Sequence, residues 1–152
     1  MQNWIEVLLV SMMPISELRG GIPLGLMLGL SPIEAYIAGV VGSFIPAPFL
    51  LLFLDNISKI AERWWLTEKL YSKIAERTER KKDIIEKYGY IGLILFVAVP
   101  LPMTGVWTGS FLATLMRLNL LKSAFSILIG TAIAGIIVTI ATLAGINLAL
   151  GV

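Results

Sequence analysis

The stretch PISELRGGIPLG, residues 14–25, decides how this chain is read. It carries a glutamate, an arginine, three glycines and two prolines between two runs of nearly pure hydrocarbon, WIEVLLVSMM (4–13) and LMLGLSP (26–32). Glycine and proline disfavour helix interiors. The stretch therefore reads as a loop joining two short helices, Trp4 to Met13 and Ile22 to Leu30. A spanning helix needs about 20 apolar residues, and neither run reaches that length. Two half-length helices around a broken loop describe a re-entrant hairpin that enters the bilayer and returns to the same face. The competing reading is one span from Trp4 to Leu30, kinked at Pro14.

Composition supports a bilayer. The chain has 152 residues, 57% hydrophobic and 14% charged, with a mean hydropathy of +0.88. A soluble domain carries roughly 25% charged residues, so this one reads as a single integral membrane unit. Cysteine and histidine are absent. That excludes a disulfide framework, a thiol nucleophile, and the commonest proton shuttle and metal ligand. No cofactor, metal or nucleic-acid partner is expected.

Charge is distributed unevenly. Nine of the twelve Lys and Arg residues, and seven of the ten acids, fall between Asp55 and Tyr88. Two apolar parts, 1–54 and 89–152, are thus joined by a charged connector, 55–88. The connector is expected to be cytoplasmic by the positive-inside rule. Within it, Ile57, Ile60, Ala61, Trp64, Tyr71, Ile74 and Ala75 recur at helical spacing, which predicts amphipathic surface helices anchored by Trp64 and Trp65. RTERKKD (77–83) reads as a solvated turn or as an anionic-lipid contact.

Pro32 to Leu54 is long enough to span, with Ser31 placed as N-cap and Pro32 at the first helical position. IPAP (45–48) must kink or interrupt it. The second part follows the same order: GYIGLILFVAVP (89–100), the Pro/Gly loop LPMTGVWTG (101–109), the short return SFLATLMRL (110–118), then a full span from Asn119 to about Leu148. The expected fold is an all-α integral membrane protein. It is an inverted repeat of re-entrant helical hairpin plus transmembrane helix, joined by the charged amphipathic cytoplasmic connector. Counting crossings puts both termini outside.

Both loops are then expected near the bilayer centre, where irregular backbone survives only inside protein or along a water-filled cavity. Glu17 and Arg19 become the strong charges at that depth, and such charges are costly. Three roles stand open: Glu17 carries a proton, Arg19 holds an anionic headgroup, or the two neutralise each other structurally. Gly20, Gly21 and Pro23 complete the first candidate site. The opposing loop adds Pro100, Pro102, Thr104, Gly105, Trp107, Thr108 and Gly109. The starts of the two return helices offer positive dipole ends that favour an anion. Trp107 walls or gates a cavity, or packs between hairpins. Arg117, at the inner end of the second hairpin, snorkels or attracts anionic substrate as a secondary contact.

SELRGGIPLG, followed some ninety residues later by PLPMTGVWTG, resembles the small multi-drug export proteins of bacteria and archaea, over essentially the whole chain. The layout is also similar to the DedA (VTT-domain) superfamily, whose paired re-entrant hairpins are linked to undecaprenyl-phosphate flipping and lipid scrambling. The resemblance implies a transporter in the cell membrane of a bacterium or archaeon, with the acidic-basic loop carried by Glu17 and Arg19. On this reading the chain is not an enzyme. Its expected activity is proton-coupled export of a small amphipathic molecule from a midplane site. The alternative is flipping of a lipid phosphate. Membrane lipids and a second copy of the chain are the expected partners, because AGVVGS (38–43) and GTAIAG (130–135) permit close helix packing.

Overall fold

The structure, a computed structural model, describes residues 2–61, 82–101 and 104–150. Among them lie seven helices: α1 (Gln2–Met12), α2 (Glu17–Met27), α3 (Pro32–Phe44), α4 (Pro46–Ala61), α5 (Lys82–Ala98), α6 (Val106–Leu115) and α7 (Leu120–Leu150). No strand occurs among the described residues.

Local chemistry sets the starts of the long helices. Ser31 caps α3: its Oγ accepts the Glu34 N–H at 3.3 Å, and the Glu34 carboxylate accepts the Ser31 N–H at 2.9 Å. Pro32 occupies the first turn, where its missing N–H costs nothing. Asn119 does the same for α7, its Oδ1 accepting N–H groups of Leu121 and Lys122. The IPAP break is a single residue, Ile45, between α3 and α4. Taken through that break, Pro32–Ile57 has 26 residues and a mean hydropathy of 2.2; Leu120–Ala149 has 30 and 2.4. Both are long and apolar enough to cross a bilayer.

Boundaries differ from the sequence reading at the starts of α2, α5 and α6 and at the end of α4; α6 opens at Val106, so Trp107, Thr108 and Gly109 stand on it rather than in the expected loop 101–109. The first loop is only Met13 to Ser16, and α2 starts at Glu17, so Gly20, Gly21 and Pro23 lie on the helix. The helix persists because its glycines permit close packing. A Cβ on Gly21 would meet Ser11 of α1, and one on Gly25 would sit 3.0 Å from Ala35 of α3. Burial there outweighs a helix-propensity penalty of about 1 kcal/mol per glycine. Likewise α5 begins at Lys82 rather than near Gly89, and α4 runs on to Ala61, so helices extend into both ends of the expected connector. Its middle, 62–81, with Trp64 and Trp65, lies outside the described residues.

The chain packs as two three-helix groups. In the first, α1 and α2 are antiparallel: Asn3 donates to the Leu28 carbonyl at 2.8 Å, and Ser16 donates to Val10 at 2.6 Å. Helix α3 returns alongside α1, with Ser43 Oγ donating to the Ser11 carbonyl. In the second group α5, α6 and α7 follow the same order. Gly42 of α3 lies against the Leu8 carbonyl and Ser11, and Gly130 of α7 lies against the Ile94 carbonyl and Val97. Gly21 packs against Val7 and Ser11, Gly109 against Leu93 and Val97. The turn after α2 closes with Gly29 N–H to Leu26 O and Leu30 N–H to Gly25 O. The turn after α6 closes with Arg117 N–H to Thr114 O and Leu118 N–H to Ala113 O. Gly29 and Arg117 are both left-handed, at φ +84° and +51°.

The groups interlock. Leu18 and Ile22 of α2 pack with Ala134 and Val138 of α7. Val106 and Ala113 of α6 pack with Ala47 and Leu51 of α4. Helix α4, which continues α3, and helix α7 thereby each clamp the return helix of the other half, which brings the starts of α2 and α6 together.

Candidate functional site

Glu17, the first residue of α2, is held in the left-handed region at φ +44°. That conformation costs a non-glycine residue about 1–2 kcal/mol. Its N–H is still bonded to the Met13 carbonyl at 3.0 Å, and the adjoining Leu18 is locked into the core. The residue is 7% exposed. Its carboxylate accepts the backbone N–H groups of Val106 and Trp107, the first two residues of α6. Glu17 thus caps a helix 89 positions away in the chain (17 to 106). The first N–H groups of a helix have no internal partner, and the helix dipole favours an anion there.

The second loop is shaped to receive it. Thr104 Oγ1 donates to the Val99 carbonyl at 2.7 Å and accepts the Leu101 N–H at 3.1 Å. Gly105 is the N-cap of α6, and its N–H reaches Thr108 Oγ1 at 3.1 Å. A Cβ on Gly105 would overlap the Glu17 carboxylate, so only glycine leaves room for the seat. Arg19, part buried, donates through Nη2 to the Thr104 carbonyl and to Thr104 Oγ1, the latter at 3.2 Å. Glu17 and Arg19 attract each other, but the hydrogen bonds of each run to the second loop.

The arrangement therefore gathers Glu17, Arg19, Thr104, Gly105, Trp107 and Thr108. Gly20, Gly21 and Gly109 are packing positions instead, set against Ser16, Ser11 and Val97 respectively. Pro23 lies within α2, and Pro100 lies in the second loop between α5 and α6. Pro102 lies outside the described residues. Arg117 is exposed at the far end of α6.

Two features were missed in the sequence. The backbone N–H of Val106 leaves no side-chain signal. An apolar groove of about 480 Å³, lined by Pro46, Phe49, Leu50, Leu52 and Phe53 of α4, has Trp107 as its wall. The spacing of Pro46, Phe49, Leu50 and Phe53 places them on one helix face and was the available signal. The Trp107 indole nitrogen is buried with no hydrogen-bond partner among the described residues.

The sequence pattern of one family, described as "Putative small multi-drug export protein", matches residues 17–137. The chain belongs to this family. The match to the small multi-drug export proteins opens at Glu17, just past the first loop, and takes in α2, the second loop, the groove helix α4 and most of α7. No curated protein and no solved structure matches the chain. Membership and the two long apolar helices together identify a membrane protein.

Proposed function

We propose that the chain exports a small amphipathic molecule across the plasma membrane, coupled to protons, from a site near the bilayer midplane where the two helical hairpins meet. The carrying observation is the Glu17–Arg19 contact with the second loop. Two opposite charges of one hairpin reach the backbone of the other, inside apolar surroundings. Charge is kept at such a depth for ion or substrate pathways. The family description supports export of small molecules.

On this reading residues 1–54 and 89–152 are inverted repeats, each a re-entrant hairpin with a spanning helix, around a cytoplasmic connector at 55–88. Both termini then lie outside, and the working form is a homodimer in the lipid bilayer. The recurring contacts of Gly21 and Gly109, and of Gly42 and Gly130, support the repeat. Broken helices meeting at the midplane of inverted repeats are a common transporter design.

The test is transport in sealed proteoliposomes under a pH gradient of either sense, using amphipathic probes of both charges. Wild type is expected to move at least one class faster than empty vesicles, and Glu17→Gln to lose the gradient dependence. No movement of any probe in either orientation refutes the exporter. A second reading is flipping of a lipid phosphate, favoured by the anion-directed start of α6 beside Arg19. A labelled polyprenyl phosphate placed in both leaflets tests it.

A further inference from the structure

We infer that the Glu17 carboxylate is the chain's own occupant of an oxyanion seat, and that a substrate oxyanion with an apolar tail takes this seat once Glu17 is protonated. The inference rests on the exporter reading above and names the substrate class of that site.

Four observations converge on the seat. It already binds an oxyanion: the carboxylate of Glu17 lies on the N–H groups of Val106 and Trp107. Arg19 engages the second loop through Nη2, whereas a guanidinium offers five N–H donors in a planar fork suited to a two-oxygen ligand. The Trp107 indole N–H is buried and has no partner among the described residues, so the residue that helps to hold the carboxylate keeps a donor which the carboxylate leaves unsatisfied. Finally, Glu17 stands at the seat in a left-handed conformation, a strained backbone of the kind retained at functional sites. A sulfonate or phosphate brings one more acceptor oxygen than Glu17 does.

The tail follows from the groove. Trp107 belongs both to the start of α6 and to the wall of the 480 Å³ groove on α4. That volume lies within the range of small-molecule sites. An oxyanion on the seat can therefore lay its hydrocarbon along Phe49, Leu50 and Phe53.

The proton follows from charge. Glu17 and Arg19 together are neutral, and a second anion beside an ionised Glu17 is opposed by like-charge repulsion. Arg19 is the charge acting on Glu17 among the described residues. Among residues whose side chains are described, the charges on the neighbouring elements are Glu6 on α1, Glu34 on α3, Asp55 on α4, Arg117 after α6 and Lys122 on α7, and none of these acts on its carboxylate. Binding of the oxyanion and protonation of Glu17 therefore strengthen each other.

The test is binding of decanesulfonate, whose charge does not change with pH, to the full chain in nanodiscs. Inorganic sulfate and decyltrimethylammonium serve as probes of the tail and the sign. Wild type is expected to bind decanesulfonate more tightly as pH falls, by up to about tenfold per pH unit for one linked proton. It should take up one proton per ligand in weak buffer. Glu17→Gln is expected to bind as tightly as acidified wild type at every pH, and Arg19→Gln to lose binding. A pH-independent wild type without proton uptake overturns the inference even if Glu17→Gln fails to fold. Equal binding of sulfate overturns the tail, and preference for the cation overturns the seat. Any of these results alongside gradient-driven transport in the proteoliposomes removes this inference and leaves the exporter standing.

Discussion

Gly105→Ala isolates the contact between the start of α2 and the second loop. Gly105 has φ −158°, extended backbone open to any residue, so alanine adds no backbone strain. Its methyl group would occupy the space of the Glu17 carboxylate. The carboxylate must leave, and the Val106 and Trp107 N–H groups lose it. Hydrogen bonds to a charged group contribute about 1.5–3 kcal/mol each. Partial rehydration of the evicted carboxylate returns some of the loss, so the net cost is about 3 kcal/mol. Glu17→Ala removes the same two bonds and is expected to cost a similar amount. In the double variant the methyl group enters vacated space and breaks nothing further. The double variant should therefore lose about 3 kcal/mol rather than about 6, a coupling of about 3 kcal/mol between residues 88 positions apart. Reversible unfolding in mixed micelles, followed by helical circular dichroism, measures all four corners of the cycle. Additive losses would refute the cap, because they would mean that the two residues act on separate structures.

Gly42→Ala and Gly130→Ala are expected to destabilise by similar amounts, about 1–3 kcal/mol, because each methyl group meets a backbone carbonyl of a neighbouring helix, Leu8 at 2.6 Å and Ile94 at 2.8 Å. The same unfolding assay checks both. Gly92→Ala and Gly145→Ala have nothing within 4 Å of the new Cβ, and a rise in thermal midpoint is expected from better helix propensity, worth up to about 0.8 kcal/mol each. Thr104→Val removes the hydroxyl that bridges Val99 and Leu101. It should cost about 1–2 kcal/mol, seen as a lower midpoint and faster amide exchange at Leu101.

Sequence served best where the physics is local. Ser31 and Pro32 start α3 through contacts three residues apart, so the helix start could be read from the letters. Hydropathy summed along 32–57 and 120–149 needs no partner either, and both long helices stand where the composition put them. It served worst where packing overrides propensity. Gly20 and Gly21 read as a loop because their intrinsic preferences oppose helix. The structure keeps them helical because Gly21 must lie against Ser11 and Gly25 against Ala35. The role of Glu17 was hidden for another reason. Its partners are backbone N–H groups, which every residue carries, and only the interlocking of α2 with α7 and of α6 with α4 decides which ones it meets.

On the repeat reading proposed above, the two loops differ where they touch. Past the first loop, corresponding positions lie 88 residues apart: Gly21 with Gly109, Gly29 with Arg117, Gly42 with Gly130. The same step pairs Glu17 with Gly105 and Arg19 with Trp107. Contact across a pseudo-two-fold axis brings equivalent positions face to face, so two identical loops would set carboxylate against carboxylate at each helix start. Like charges at that distance repel. Two glycines would leave both helix starts uncapped. One glutamate opposite one glycine resolves the conflict, because the side chain missing from Gly105 is the space that the Glu17 carboxylate fills. Arg19 and Trp107 divide the work in the same way, one supplying charge and the other apolar area beside the groove. A chain carrying both halves can hold this asymmetry in every copy, whereas a dimer of identical single halves cannot. On this reading the fused repeat is what allows a single carboxylate to sit where α2 meets the start of α6.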